Sequence, residues 1–208
     1  MNLKSLISDT VEKIKTSNLN VEKLEFNSNG TSTEIRNVFE AQSGIKLNEE
    51  MTELYSSFSD IDLQWSFKSD KSYYGAFTMV SLLKSLELHK NIIQNYYDAV
   101  EYAEDCQNPE AVLKEVENYY PLFTFSNGNA FCIDKRNLSI VLYDHSVFEF
   151  YGSHSNGKLI ASDLSSLIEK WSKVLFLEQF WWYSDCLNSD GINLSGQMFT
   201  NFLNEVKL

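Results

Sequence analysis

Leu122-Phe123-Thr124-Phe125-Ser126-Asn127-Gly128-Asn129-Ala130-Phe131-Cys132-Ile133 is the stretch that decides the fold. Two short apolar segments flank Ser126-Asn127-Gly128-Asn129, and Asn-Gly supplies the positive backbone dihedrals of a tight turn, so a β-hairpin is predicted. Downstream, Leu138–Tyr143 and Val147–Tyr151 read as further strands on either side of Asp144-His145-Ser146, and Lys158–Ala161 as a last one. Upstream, Leu63, Trp65 and Phe67 alternate with polar residues, the pattern of a strand buried on one face. A polar turn at Lys68–Ser72 then leads to a strand around Tyr73–Met79.

Helical periodicity brackets these strands. Leu3, Leu6, Ile7, Val11 and Ile14 share one helical face. Residues 17–32, rich in Asn and Ser and ending in Asn29-Gly30, read as a connection. Thr31 with Glu34 fits a capping box ahead of Ile35, Val38 and Phe39, and Gly44 ends that helix. Asn48 caps the next one, with Glu49 and Glu50 in its first turn and Met51, Leu54, Tyr55 and Phe58 facing inward. Leu82, Leu86, His89, Ile93, Tyr96 and Val100 mark a longer helix, and Asn108-Pro109 opens another. Ser162 or Asp163 caps a helix striped by Leu164, Leu167, Ile168, Trp171 and Leu175. The chain closes with the aromatic run Phe180-Trp181-Trp182-Tyr183, a loop to Gly196 and a helix carrying Met198, Phe199, Phe202 and Val206. The predicted class is α+β: a mostly antiparallel sheet of about five to six strands flanked by helices, in a single domain over 1–208.

Composition narrows the function. The 208 residues carry 17 Lys and Arg against 29 Asp and Glu, a formal charge of −12 spread over both halves. Such a chain repels nucleic-acid phosphates and anionic membranes and attracts basic partners. With no apolar export segment at the N-terminus and no apolar run of membrane-spanning length, a cytoplasmic protein is expected. Cys106, Cys132 and Cys186 form no motif and read as reduced thiols.

Candidate chemistry is sparse. Gly152-Ser153-His154-Ser155-Asn156-Gly157-Lys158-Leu159 has phosphate-loop spacing, but Leu159 stands where a hydroxyl must hold Mg²⁺, and a strand follows where a helix should start. His89, His145 and His154 have no metal-site spacing among themselves or with the cysteines, so neither metal nor cofactor is expected. There is no nucleophile elbow, and the Asp60/Asp62 and Asp134/Asp144 pairs lack any spacing that specifies acid–base work. Two acidic runs, Glu49–Asp62 and Asp98–Glu117, are either solvated faces or a surface that steers a basic protein.

Ile35…Gly44-Ile45-Lys46-Leu47-Asn48-Glu49-Glu50…Leu54-Tyr55, Gly75-Ala76-Phe77…Leu82…Leu86, Tyr120 to Asp134, Val141-Leu142-Tyr143-Asp144-His145, and Ala161 to Ile168 together resemble the SUKH superfamily, which holds the Smi/Knr regulators and many bacterial immunity proteins. Asn48 stands in place of the family's usual Pro, the Asn-Gly common after the second helix is absent at Ser59-Asp60-Ile61, and residues 89–118 form an insertion. The resemblance implies a core over about 33–177, an N-terminal helical extension over 1–30 and a C-terminal aromatic and helical extension over 178–208.

It also implies binding, not catalysis: an immunity protein that neutralises a basic nuclease- or deaminase-type toxin domain, or, as the alternative, a housekeeping interaction module of the same fold with an endogenous partner. The partner-binding candidates are Asp60, Asp62 and Trp65 on the first strand and Asp134, Asp144 and His145 on turns of the sheet. Trp65 fits a core position equally well.

Overall fold

The computed structural model describes residues 2–67, 73–100, 109–148, 155–178 and 184–206. The predicted Lys68–Ser72 turn, the 180–183 aromatic run, Cys106 and His154 lie outside them. In chain order the elements are α1 (Leu3–Thr16), β1 (Leu19–Asn27), α2 (Thr33–Ser43), α3 (Glu49–Ser57), β2 (Asp60–Phe67), β3 (Tyr74–Met79), α4 (Leu82–Val100), α5 (Pro109–Val116), β4 (Tyr119–Thr124), β5 (Ala130–Asp134), β6 (Ile140–Tyr143), β7 (Leu159–Ala161), α6 (Leu164–Lys173), β8 (Leu187–Asn188), β9 (Gly191–Ile192) and α7 (Gln197–Glu205). Strands β1 to β7 form one antiparallel sheet in sequential order, and β8–β9 make a separate ribbon. The class is α+β, with more strands than the five to six expected.

The decisive hairpin forms where the sequence places it. Phe125 N–H donates to the Asn129 carbonyl at 3.0 Å across a turn in which Gly128 has φ 88°, a region an L side chain enters only at a cost. Asn48 caps α3 through Oδ1 to the Met51 N–H at 2.9 Å, and Asp163 caps α6 through Oδ1 to the Ser166 N–H at 2.7 Å. The cap of α2 is Ser32, one residue beyond the expected Thr31.

Two readings need correction. Residues 19–27 are a strand and not a connection: β1 pairs with β2 from Leu19↔Phe67 to Asn27↔Asp60. A register shift between Val21 and Lys23 breaks the alternation of Leu19, Val21, Leu24 and Phe26, and polar residues fill the other face, so the segment has the composition of a loop. Of the strand expected over Val147–Tyr151, Val147 and Phe148 belong to a short 3-10 turn, His145–Phe148, and residues 149–151 lie outside the described residues.

One face of the sheet rests on α1, α3, α6 and α7. Ile7, Leu54, Leu63, Phe77, Phe131, Ile168, Trp171 and Phe202 share this core, so segments before residue 30 and after 178 pack into it directly. The opposite face is divided. Over β4–β6 it lies under α4 and α5, with Ile92, Tyr96, Val116, Tyr119, Ala130, Cys132, Val141 and Tyr143 in a second, smaller core. Over β1 and β2 it carries Asn20, Lys23, Glu25, Asn27, Asp60, Asp62 and Gln64, exposed or half-buried. Among the described residues, no helix covers this acidic half-sheet.

Candidate binding cleft

The division follows from how β3 meets β4. The two strands pair at one register position, Met79↔Phe123, supported by Val80 N–H to the Leu122 carbonyl at 3.0 Å. The edge of β3 from Tyr74 to Thr78 is therefore left to another partner. The chain leaving α6 takes that place: Leu177 bridges Gly75, and Glu178 N–H donates to the Tyr74 carbonyl at 3.1 Å.

Bringing the chain round from α6 needs two successive left-handed residues, Leu175 with φ 54° and Phe176 with φ 58°, each costing about 1–2 kcal/mol for a side chain-bearing residue. Burial offsets that cost. Both are buried, and Phe176 lies 4.2 Å from Phe77 between ring centroids. Two indoles hold the strap by its carbonyls: Trp65 Nε1 donates to Leu175 O and Trp171 Nε1 to Leu177 O, both at 2.7 Å. Gly75 is required opposite, because a Cβ there would collide with the Trp65 ring.

A cleft of about 400 Å³ opens beside this strap, lined by Glu22, Gln64, Ser66, Tyr74, Thr78, Thr124, Ser126 and Glu178 among others. Glu178 is 4% exposed, and its carboxyl accepts no hydrogen bond from a described residue. Burial pushes its pKa up to about 7. Glu22, exposed at the rim, accepts from Ser66 Oγ at 2.6 Å. No described lining residue is basic.

The expected contact residues divide into two groups. Asp62 sits beside the cleft, accepting from Lys23 Nζ at 2.6 Å, Gln64 Nε2 at 3.0 Å and Thr78 Oγ1 at 3.1 Å. Burial raises its pKa, but those hydrogen bonds outweigh the effect and hold it below the ordinary carboxylate value. Asp60, further along the same strand face, accepts from Ser59 Oγ at 2.9 Å. Asp144 and His145 lie beyond β3, β4 and β5, on the turn after β6. There Asp144 accepts from Ser146, and His145 Nδ1 meets Asn129 Oδ1 at 2.8 Å beside a separate cavity of about 320 Å³ under α4.

Trp65 and Asp134 are buried. Trp65 is 1% exposed, stacked on Phe202 and committed to the strap. Asp134 is 3% exposed and held by Arg136, whose Nη2 lies 2.6 Å from it and 2.7 Å from Glu115. Both residues shape the fold from inside.

Glu178 and Glu22 were missed. Glu178 ends the apolar run Val174-Leu175-Phe176-Leu177, which gives no sign that the next residue turns under a sheet edge, and Glu22 occupies the bulge of the unrecognised strand. A polar residue closing an apolar run was the one available signal. Among the described residues no group of His, Cys, Asp or Glu is arranged to hold a metal ion, and no helix is long and apolar enough to cross a membrane. The Cys132 thiol, fully buried, is pushed well above its usual value and is unreactive. Of the phosphate-loop-like stretch, residues 155–159 are described, and they lead into β7, not a helix.

No protein-family model and no curated protein matches the chain.

Proposed function

We propose that this chain is a cytoplasmic binding protein that neutralises a basic partner domain, of the toxin-immunity type found in the SUKH superfamily. The observation that carries this reading is the open half-sheet: Glu22 lines a cleft with no described basic lining residue, and Glu25, Asp60 and Asp62 lie along the adjoining β1–β2 face, in a chain of charge −12. Opposite charge raises the rate of encounter and selects against acidic partners, while a concave centre ringed by polar groups suits a protein anchor. Binding is favoured over catalysis in this reading, because among the described residues no second acid, base or nucleophile is hydrogen-bonded to Glu178.

The test is protection. Cells producing candidate basic nuclease or deaminase toxin domains are co-supplied with this chain, and survival and complex formation are measured at low and high salt. Rescue with a stoichiometric complex that weakens as salt rises supports the reading. A stoichiometric endogenous regulator, with no toxin neutralised, replaces it with the housekeeping alternative.

A further inference from the structure

Strand β1 stands at one end of the seven-stranded sheet, and among the described residues no segment pairs with its outer edge. A row of unpaired N–H and C=O groups is a template for another strand, and folds commonly blunt such an edge with a bulge. β1 has a bulge, but it lies between Val21 and Lys23 and distorts only the first half of the strand. From Lys23↔Gln64 to Asn27↔Asp60 the ladder runs without interruption. That regular half is at the opposite end of the ladder from Leu19↔Phe67.

The side chains of this half are incompletely covered on the inward face. Leu24 and Phe26 lie opposite Leu63 and Ile61, which are fully buried, yet both are only half-buried themselves. Phe26 leans on Phe58 with ring centroids 5.6 Å apart, and nothing described flanks it on the outer side of the strand. On the outward face Lys23 and Glu25 alternate with these apolar residues. Lys23 Nζ donates to Asp62 at 2.6 Å and to Glu25 at 3.3 Å, which uses two of an ammonium's three N–H groups. The Glu25 side chain is 70% exposed.

We infer that the Lys23–Asn27 edge pairs with the same edge of a second copy of this chain, antiparallel about a two-fold axis at Leu24, so that two seven-stranded sheets become one. The side-chain order selects this register and this occupant. With Leu24 on the axis, Lys23 of each copy stands opposite Glu25 of the other, and Leu24 meets Leu24 on the inward face. Centring on Lys23 or on Glu25 instead sets like charges against each other, and a shift by one residue puts apolar side chains opposite charged ones. The edge is therefore complementary to itself, as a two-fold interface requires. Because the added strand lies in the plane of the sheet, the face carrying Asp60 and Asp62 stays open, and the inference does not rest on the proposed function.

Each copy carries a charge of −12, so general repulsion opposes the pairing and a Kd of about 100 µM is expected. The first experiment is sedimentation velocity of the full chain from about 10 µM to about 1 mM, which should show monomer passing to dimer. Glu25→Lys and Lys23→Glu each place like charges across the axis and should weaken self-association at least about tenfold. Mixed together, the two variants regain opposite charges at both positions and should associate with each other. Glu87→Lys on α4 changes net charge as Glu25→Lys does and should not weaken the dimer.

The second measurement is hydrogen exchange of the unaltered chain, which requires no variant to fold. Amides within 23–27 should become more protected as concentration rises. A chain that stays monomeric to about 1 mM overturns the inference, as does a dimer indifferent to both charge variants or a mixture that fails to associate. A dimer without added protection at 23–27 places the contact elsewhere and also overturns it. So does an edge protected by a basic partner but not by a second copy, which would assign β1 to a foreign strand.

Discussion

Glu178→Gln should make the protein more stable at pH 8 and leave it unchanged near pH 4. In the unfolded chain this carboxyl titrates near 4.5, and in the fold near 7, because burial disfavours its ionised form. Below pH 4.5 both states hold the proton and the group contributes no pH dependence. Between 4.5 and 7 the unfolded chain releases its proton while the native chain retains it, so stability falls as pH rises. Above 7 both are ionised and the loss levels off. At 1.36 kcal/mol per pH unit the full span amounts to about 3 kcal/mol, reduced to about 2 kcal/mol if water entering the cleft solvates the carboxylate. Glutamine has no proton to lose. Urea unfolding of both proteins from pH 4 to pH 8.5 gives the difference directly, and groups common to both, His89 included, cancel. A difference that does not change with pH, or a variant less stable than the parent at pH 8, would refute the assignment of Glu178 as an acid held above its ordinary pKa by burial.

Three further outcomes are expected. Trp171→Phe removes the hydrogen bond to Leu177 O from a fully buried site and should cost about 2–4 kcal/mol in denaturant stability; a cost below 1 kcal/mol would mean that the strap is held by other contacts. Gly75→Ala forces a methyl group into the Trp65 indole and should lower the melting temperature by several degrees, equivalent to about 1–3 kcal/mol, with a change in tryptophan fluorescence. Arg136→Met leaves the buried Asp134 carboxylate without its cation and should destabilise by about 3 kcal/mol, whereas adding Asp134→Leu should recover a large part of that loss; without recovery the pair is not coupled as its geometry indicates.

Much of the fold is written in local patterns. The hairpin at Asn127-Gly128, the caps Asn48 and Asp163, and the apolar stripes of α1, α6 and α7 are each governed by neighbours within a few residues and form as read, except that Leu175 and Val206 fall beyond the ends of α6 and α7. β1 escaped because a bulge at Glu22 disrupts the alternation that identifies a strand, and because its pairing is with β2, some forty residues later. The candidate site was partly legible. The spacing of Asp60 and Asp62 puts both on one strand face, and their acidity marked them, but Trp65 and Asp134 are recognisable as interior only from Leu175 O and Arg136, the groups they meet.

Composition, charge and periodicity by themselves determined an acidic α+β chain with most of its helices, its central hairpin and one acidic strand face. Those properties depend on short-range backbone preferences and on the sum of charges, which a sequence states directly. Only the tertiary structure decided that β3 meets β4 at a single point, that the strap after α6 takes up the vacant edge, and that Glu178 is thereby buried beside the acidic face. Each of these requires segments distant in the chain, Met79 with Phe123 or Gly75 with Leu177, to meet at ångström accuracy, and the energy of a buried carboxyl is set by what surrounds it in space, not by what precedes it in the chain.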